Sequence, residues 1–301
     1  MPHGWIILDK PVGLGSTQAV AAVKRNLREA GYGKKVKVGH GGTLDPLASG
    51  VLPIAIGEAT KLAGRMLDAS KVYEFTVTFG TETDTLDQEG AVVATSAVRP
   101  TLAQIEAVLP RFTGQIDQVP PAFSALKVDG RRAYDRARAG EAMELKARRV
   151  SIHALDIVAC AEPDAVTLRA HVSKGTYIRS LARDIALDLE TCGHVTHLRR
   201  MKAGPFTLEQ AISLDKLNEI GKGARLEPLL MPLEAGLDDI PALDLDPEAA
   251  RAVRQGRVLS GLSQTDGQYW ARSGAVPVAL VELAGGEARV VRGFNLPDVA
   301  E

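Results

Sequence analysis

Residues 73–80 alternate without a break, with Tyr73, Phe75, Val77 and Phe79 on one side and Glu74, Thr76 and Thr78 on the other. Successive side chains of a strand point to opposite faces, so a period of two predicts a half-buried strand. A slip of one residue would turn all four apolar side chains to water, so this segment fixes both a sheet and the face that carries its core. The pattern returns at 166–173, where Val166, Leu168, Ala170 and Val172 share a face. There it runs directly into a helical stripe of Ile178, Leu181, Ile185 and Leu189.

Other segments fill in the class. Val20, Val23 and Leu27 predict a helix over 16–31, with Ser16 or Thr17 as its cap and Gly31 as its stop. Thr101 and Gln104 form a capping-box pattern ahead of inward Leu102, Ile105 and Leu109. Strands and helices alternate without regular βαβ spacing, so the expectation is a mixed α+β fold rather than a doubly wound α/β one. The stretch 232–247 is rich in proline and acid and reads as a linker. After it, a short helix is expected at 248–258 and a β-hairpin at 275–292 around Gly285-Gly286. Two domains follow, residues 1–238 and a small β-rich unit at 239–301, a division that 301 residues accommodate.

Charge looks discouraging for a nucleic-acid partner at first: 36 Lys and Arg against 37 Asp and Glu leave a net charge of −1. Its distribution is uneven, however. Residues 1–50 carry seven basic and three acidic side chains, while 201–250 carry four and ten. Residues 124–150 add Lys127, Arg131, Arg132, Arg136, Arg138, Lys146, Arg148 and Arg149. The basic excess is early and the acidic excess late, so near-neutral bulk charge leaves room for a positive substrate-facing surface.

Two cysteines, Cys160 and Cys192, suit a reducing compartment, and the opening MPHGWIILDKPVG lacks the basic start and cleavage site of a signal peptide. A cytoplasmic location without a membrane span is expected. There is no P-loop, no dinucleotide fingerprint and no nucleophile elbow. Cys192, His194 and His197 lie within six residues, but no fourth ligand or His-Glu-x-x-His frame accompanies them, so no metal is expected.

The densest signal is the run from Val38 to Gly50, VGHGGTLDPLASG. Its glycines permit positive φ or close backbone approach. Asp45 stands before Pro46, which pushes it out of the α region. Two readings are open: Asp45 caps a stretch beginning at Pro46, or it presents a carboxylate for chemistry. Together with GWIILDKPVG at 4–13, KVY at 71–73, GTETDTLD at 80–87, PPAFSALK at 120–127, GTYIRSLARD at 175–184 and HLRR at 197–200, this run resembles the TruB-type tRNA pseudouridine synthases. The matches follow family order from residue 4 to about 207, and the last sixty residues resemble a shortened C-terminal domain of the family.

The resemblance implies a catalytic domain with a mixed, mostly antiparallel sheet, an RNA-binding insertion at about 124–150, and a small PUA-like C-terminal domain. It implies isomerisation of uridine to pseudouridine at position 55 in the T arm of tRNA, by base flipping, with no cofactor, no membrane and no protein partner, by a monomer. Asp45 would be the catalytic carboxylate, acting on C1′ or on the C2′ proton. Arg179 would pair with it, and Tyr73 would stack on the base and exchange a proton. Tyr177 and Leu198 would line the pocket, His40 would fill the place the base leaves, and Lys61 would contact phosphate. The competing function is a tRNA-binding folding factor that uses the same cleft without chemistry.

Overall fold

A computed structural model describes residues 1–296 except 129, 142, 162–163 and 223–225. The end of the expected C-terminal unit, 297–301, lies outside the described residues. Ten strands form the main sheet: β1 (Gly4–Lys10), β2 (Val38–His40), β3 (Ser49–Ile56), β4 (Lys71–Phe79), β5 (Gly114–Gln118), β6 (Arg148–Ala161), β7 (Ala165–Val172), β8 (Gly193–Ala203), β9 (Phe206–Thr207) and β10 (Ile212–Ser213). Their path is β10-β1-β3-β8-β4-β7-β6-β5, with β2 beside β3 and β9 beside β8. Only the β1–β10 and β3–β8 pairs are parallel, so the sheet is mixed and mostly antiparallel.

The helices are α1 (Ser16–Glu29), α2 (Ala63–Asp68), α3 (Leu102–Val108), α4 (Ala133–Arg138), α5 (Ile178–Asp188), α6 (Leu214–Gly221) and α7 (Pro247–Arg254). The alternation at 73–79 does what its period demands. Phe75, Val77 and Phe79 are buried with Val166 and Leu168 of β7 and with Leu181 and Ile185 of α5. A neighbouring cluster packs Val23 and Leu27 of α1 on Ile6, Leu8, Leu52 and Ile54. Each such side chain contributes about 1.5–3 kcal/mol by leaving water. Thr101 and Gln104 make the expected capping box. At α1 the cap is Gly15, whose N–H donates to Gln18 Oε1, which frees the Ser16 hydroxyl for another task.

The C-terminal sheet has five strands: β11 (Ala242–Asp244), β12 (Leu259–Ser260), β13 (Gly267–Ser273), β14 (Val276–Ala284) and β15 (Glu287–Gly293). Gly285 and Gly286 both take positive φ, +58° and +78°, which a two-residue hairpin turn requires and glycine supplies without strain. The stretch 232–247 is not an open linker. Leu233, Leu237 and Ile240 are buried against Trp5 and Phe206, and Leu280 and Phe294 of the C-terminal unit join the same cluster. Composition points to a linker, but three apolar residues spaced by four and three bury one face.

Candidate active site

The loop after β2 is held from three directions. Ser16, in the first turn of α1, accepts the Leu44 N–H (2.8 Å) and donates its hydroxyl to the Leu44 carbonyl (2.9 Å). Lys10, fully buried at the end of β1, donates to the carbonyls of Pro11, Leu14 and Pro46. Arg200, also buried, donates from Nε to Val51 (2.7 Å) and from its two Nη atoms to the carbonyls of Thr43 and Gly42 (both 3.2 Å). Gly50 makes this grip possible. At φ +104° its missing Cβ would stand 2.2 Å from the Arg200 carbonyl oxygen. The Asp45 carbonyl accepts from Ala48 N–H in a turn, and no helix begins at Pro46. The Asp45 carboxylate therefore caps nothing and faces the cleft.

Arg179 meets it there. The guanidinium is 6% exposed and lies 3.0 Å from Asp45 Oδ2 and 3.4 Å from Asp87 Oδ2. Its Nη1 donates to the Thr85 carbonyl (2.7 Å) and its Nη2 to the Phe123 carbonyl (2.9 Å). A cation in the first turn of α5 opposes the helix dipole; two carboxylates and two carbonyls offset that cost. Asp87 is itself enclosed and accepts from the Thr85 hydroxyl and the Glu89 N–H. Just before it, Leu86 sits at φ +62°, a strained conformation for a leucine that costs about 1–3 kcal/mol. Surrounding bonds hold it there: its N–H donates to Thr83 and its carbonyl accepts from Val195.

Asp45, Tyr73, Tyr177, Arg179 and Leu198 all line one open cleft of about 320 Å³. Tyr73 sits at the end of β4 between Ala170 and Arg200, half-buried, with its ring against the core on one side and the cleft on the other. Lys71, two residues earlier, donates to the carbonyls of Met66, Leu67 and Ala69 around the end of α2. Burial pushes both Lys10 and Lys71 down to about 8; Arg200 adds to the effect, while Asp45 opposes it at Lys10 and Asp68 at Lys71. Lys71, Arg179 and Arg200 thus give the cleft a positive wall that a net charge of −1 conceals, with Lys10 buried behind the loop that carries Asp45.

Two expected residues lie elsewhere. His40 ends β2 outside the cleft lining; its Nδ1 accepts the Gly42 N–H at 3.3 Å. Burial, reinforced by Arg200, lowers its pKa and favours the neutral ring. Lys61 stands at the foot of the C-terminal sheet, 2.7 Å from Glu58 and donating to the Gly293 carbonyl. His194 bonds through Nδ1 to the Thr81 carbonyl, and among the described residues it joins no cluster with metal-binding character. The insertion borders the cleft through Ser124, Ala125 and Leu126. Beyond them come a two-stranded ribbon (Lys127–Val128 with Arg131–Arg132) and α4, where Arg131 and Arg136 both pair with Glu141.

Residues 28–178 match the TruB family pseudouridylate synthase N-terminal domain, and 179–238 match the tRNA pseudouridylate synthase B C-terminal domain. The chain belongs to the TruB family. The tRNA pseudouridine synthase B of Novosphingobium aromaticivorans is 72% identical to it, covering 100% of both chains. That of Zymomonas mobilis is 60% identical, covering 97% of this chain and 96% of its own. Among solved structures, one in a Cbf5–Nop10–Gar1 complex superposes with a TM-score of 0.74 at 26% identity, over 98% of this chain and 85% of that one. One in an H/ACA RNP bound to a substrate RNA containing 2′-deoxyuridine gives 0.72 at 26% identity, over 98% and 85%. Within this TruB-family chain the two matched regions meet between Ile178 and Arg179, yet both contribute strands to the same ten-stranded sheet.

Proposed function

We propose that this chain isomerises uridine to pseudouridine at position 55, in the T arm of tRNA. The observation that carries the reading is the Asp45 carboxylate, 41% exposed in the cleft and held 3.0 Å from the buried Arg179. The N1–C1′ bond breaks, the uracil turns, and C5 bonds to C1′; the proton leaving C5 is balanced by one gained at N1. Asp45 serves either opening, attack on C1′ or removal of the C2′ proton. In both, Arg179 lies against the carboxylate and keeps it aimed.

Extruding the nucleotide costs a few kcal/mol of unstacking. Tyr73 receives the base by stacking, with Tyr177 and Leu198 as the walls, and its hydroxyl exchanges a proton. The neutral His40 ring, beside the loop that carries Asp45, takes the vacated place in the RNA stack. Lys61 spends two of its three donors inside the protein and keeps one for a phosphate. The insertion at 124–150 and the PUA-like unit at 239–301 extend the RNA contact. One chain builds the whole cleft, so a monomer in the cytoplasm suffices.

A folding factor would have no use for a buried arginine aimed at a cleft carboxylate, and that reading is not favoured. Incubation with an unmodified tRNA transcript, followed by pseudouridine mapping, is expected to give a single site at position 55. Modification confined to another arm would refute the T-arm assignment.

A further inference from the structure

Helix α1 and the loop after it carry a second basic feature, apart from the cleft. Lys24 and Arg28 of α1 and Lys34 of the loop line a surface hollow of about 280 Å³, floored by Leu27 and Val36. Lys35 and Lys37 stand beside it, and all five cations are exposed. Among the described residues no carboxylate pairs with any of them. Elsewhere on the surface, Arg99, Arg111 and Lys174 are paired with Asp164, Asp188 and Asp68. No acidic residue among those described lines the hollow; Glu29 is exposed on α1, and Glu227 is engaged by the Tyr32 hydroxyl. Placement at the end of α1 suits Arg28 through the helix dipole, but Lys34, Lys35 and Lys37 lie outside any helix.

The hollow is rigidly tied to the catalytic loop. Helix α1 begins at Ser16, bonded to Leu44, and Lys37 leads directly into β2, which ends at His40 just before the loop that Arg200 grips. Helix α1 packs on Leu52 and Ile54. These lie on the same sheet face as Gly50, which pairs with Arg200, itself paired with the cleft residue Tyr73. Hollow and cleft therefore open on one side of the sheet. Lys24 and Arg28 stand about 12 and 18 Å along the α1 axis from Ser16, which holds the loop at Leu44.

We propose that this hollow is a phosphate site for the RNA backbone flanking the modified uridine, with Lys24, Arg28 and Lys34 as its ligands. The proposal rests on the RNA-substrate reading above. Its test is the double variant Lys24→Ala/Lys34→Ala, compared with wild type for equilibrium binding of unmodified tRNA across salt concentrations and for single-turnover isomerisation at saturating tRNA. Every phosphate that the variant leaves unneutralised takes about 0.7–0.9 off the log–log salt slope, so a fall of about 1–2 is expected. The Kd should rise on the order of tenfold near 0.15 M salt with the saturated rate unchanged. Lys24→Arg/Lys34→Arg should restore binding. An unchanged Kd and slope would overturn the proposal. So would loss of binding to anionic phospholipid vesicles with tRNA binding intact, which would assign the surface to a membrane. Wild-type protein that binds tRNA with the full slope but makes no pseudouridine would refute the catalytic reading and leave this site standing.

Discussion

Arg179 lies 3.0 Å from Asp45 on one side and 3.4 Å from Asp87 on the other, so one buried cation is shared between a carboxylate that faces the cleft and one that does not. Asp87 holds the guanidinium from behind, the carbonyls of Thr85 and Phe123 fix its plane, and the remaining edge is presented to Asp45. The direction of the Asp45 carboxylate is therefore set by contacts made outside the cleft.

That sharing predicts that Arg179→Lys is severely impaired. Lysine is a point charge without a planar fork and cannot satisfy two carboxylates and two carbonyls at once. A loss of about 100-fold or more in single-turnover rate is expected, of the size seen when one preorganised stabilising group is removed. Circular dichroism and tRNA binding should stay close to wild type. A rate within tenfold of wild type would show that Asp45 does not depend on this geometry.

The two roles proposed for Tyr73, stacking and proton exchange, separate in one substitution. Its ring is fixed by packing at the end of β4, and phenylalanine keeps that shape. Tyr73→Phe should bind tRNA within about twofold of wild type yet form pseudouridine about 100-fold more slowly, the lower range of general acid–base contributions. Equal losses in binding and rate would instead assign the hydroxyl to RNA binding.

Lys71 gives a dependence of stability on pH with a definite sign. Burial pushes its folded pKa down to about 8 from the ordinary 10.5, so the unfolded chain binds the proton more tightly. Unfolding then takes up protons between about pH 8 and 10.5, and the Lys71 contribution to stability rises with pH through that window. Urea midpoints of wild type relative to Lys71→Met should shift in favour of wild type from about pH 7 to about pH 10. A difference independent of pH would contradict the burial of the ammonium.

The parts legible in the sequence are those governed by local rules. The alternation of Tyr73 to Phe79, the stripe from Ile178 to Leu189, the Thr101 capping box and the Gly285-Gly286 turn each follow from a short period or a single backbone constraint, and each stands in the fold. The buried cations are legible only as letters in matched motifs. Nothing local says that Lys10 and Arg200 are enclosed: Pro11 and Leu14 follow Lys10 directly, but Pro46 and all of the Arg200 partners are carbonyls brought in by the loop after β2 and by β3. The local signal is an apolar run, GWIIL, that closes on the charged pair Asp9-Lys10 while still in the strand. Lys61 is the opposite case. Its charge suggests a phosphate contact, and its engagement by Glu58 and Gly293 occurs at a junction that only the tertiary fold creates.

The most direct test of the central claim is Asp45→Asn, assayed in a single turnover with unmodified tRNA and read by mapping pseudouridine at position 55. Asparagine preserves size and removes the charge, so tRNA binding should remain while product formation falls below detection. Product formed at a rate near that of the wild type would mean that the carboxylate facing Arg179 is not the catalytic group.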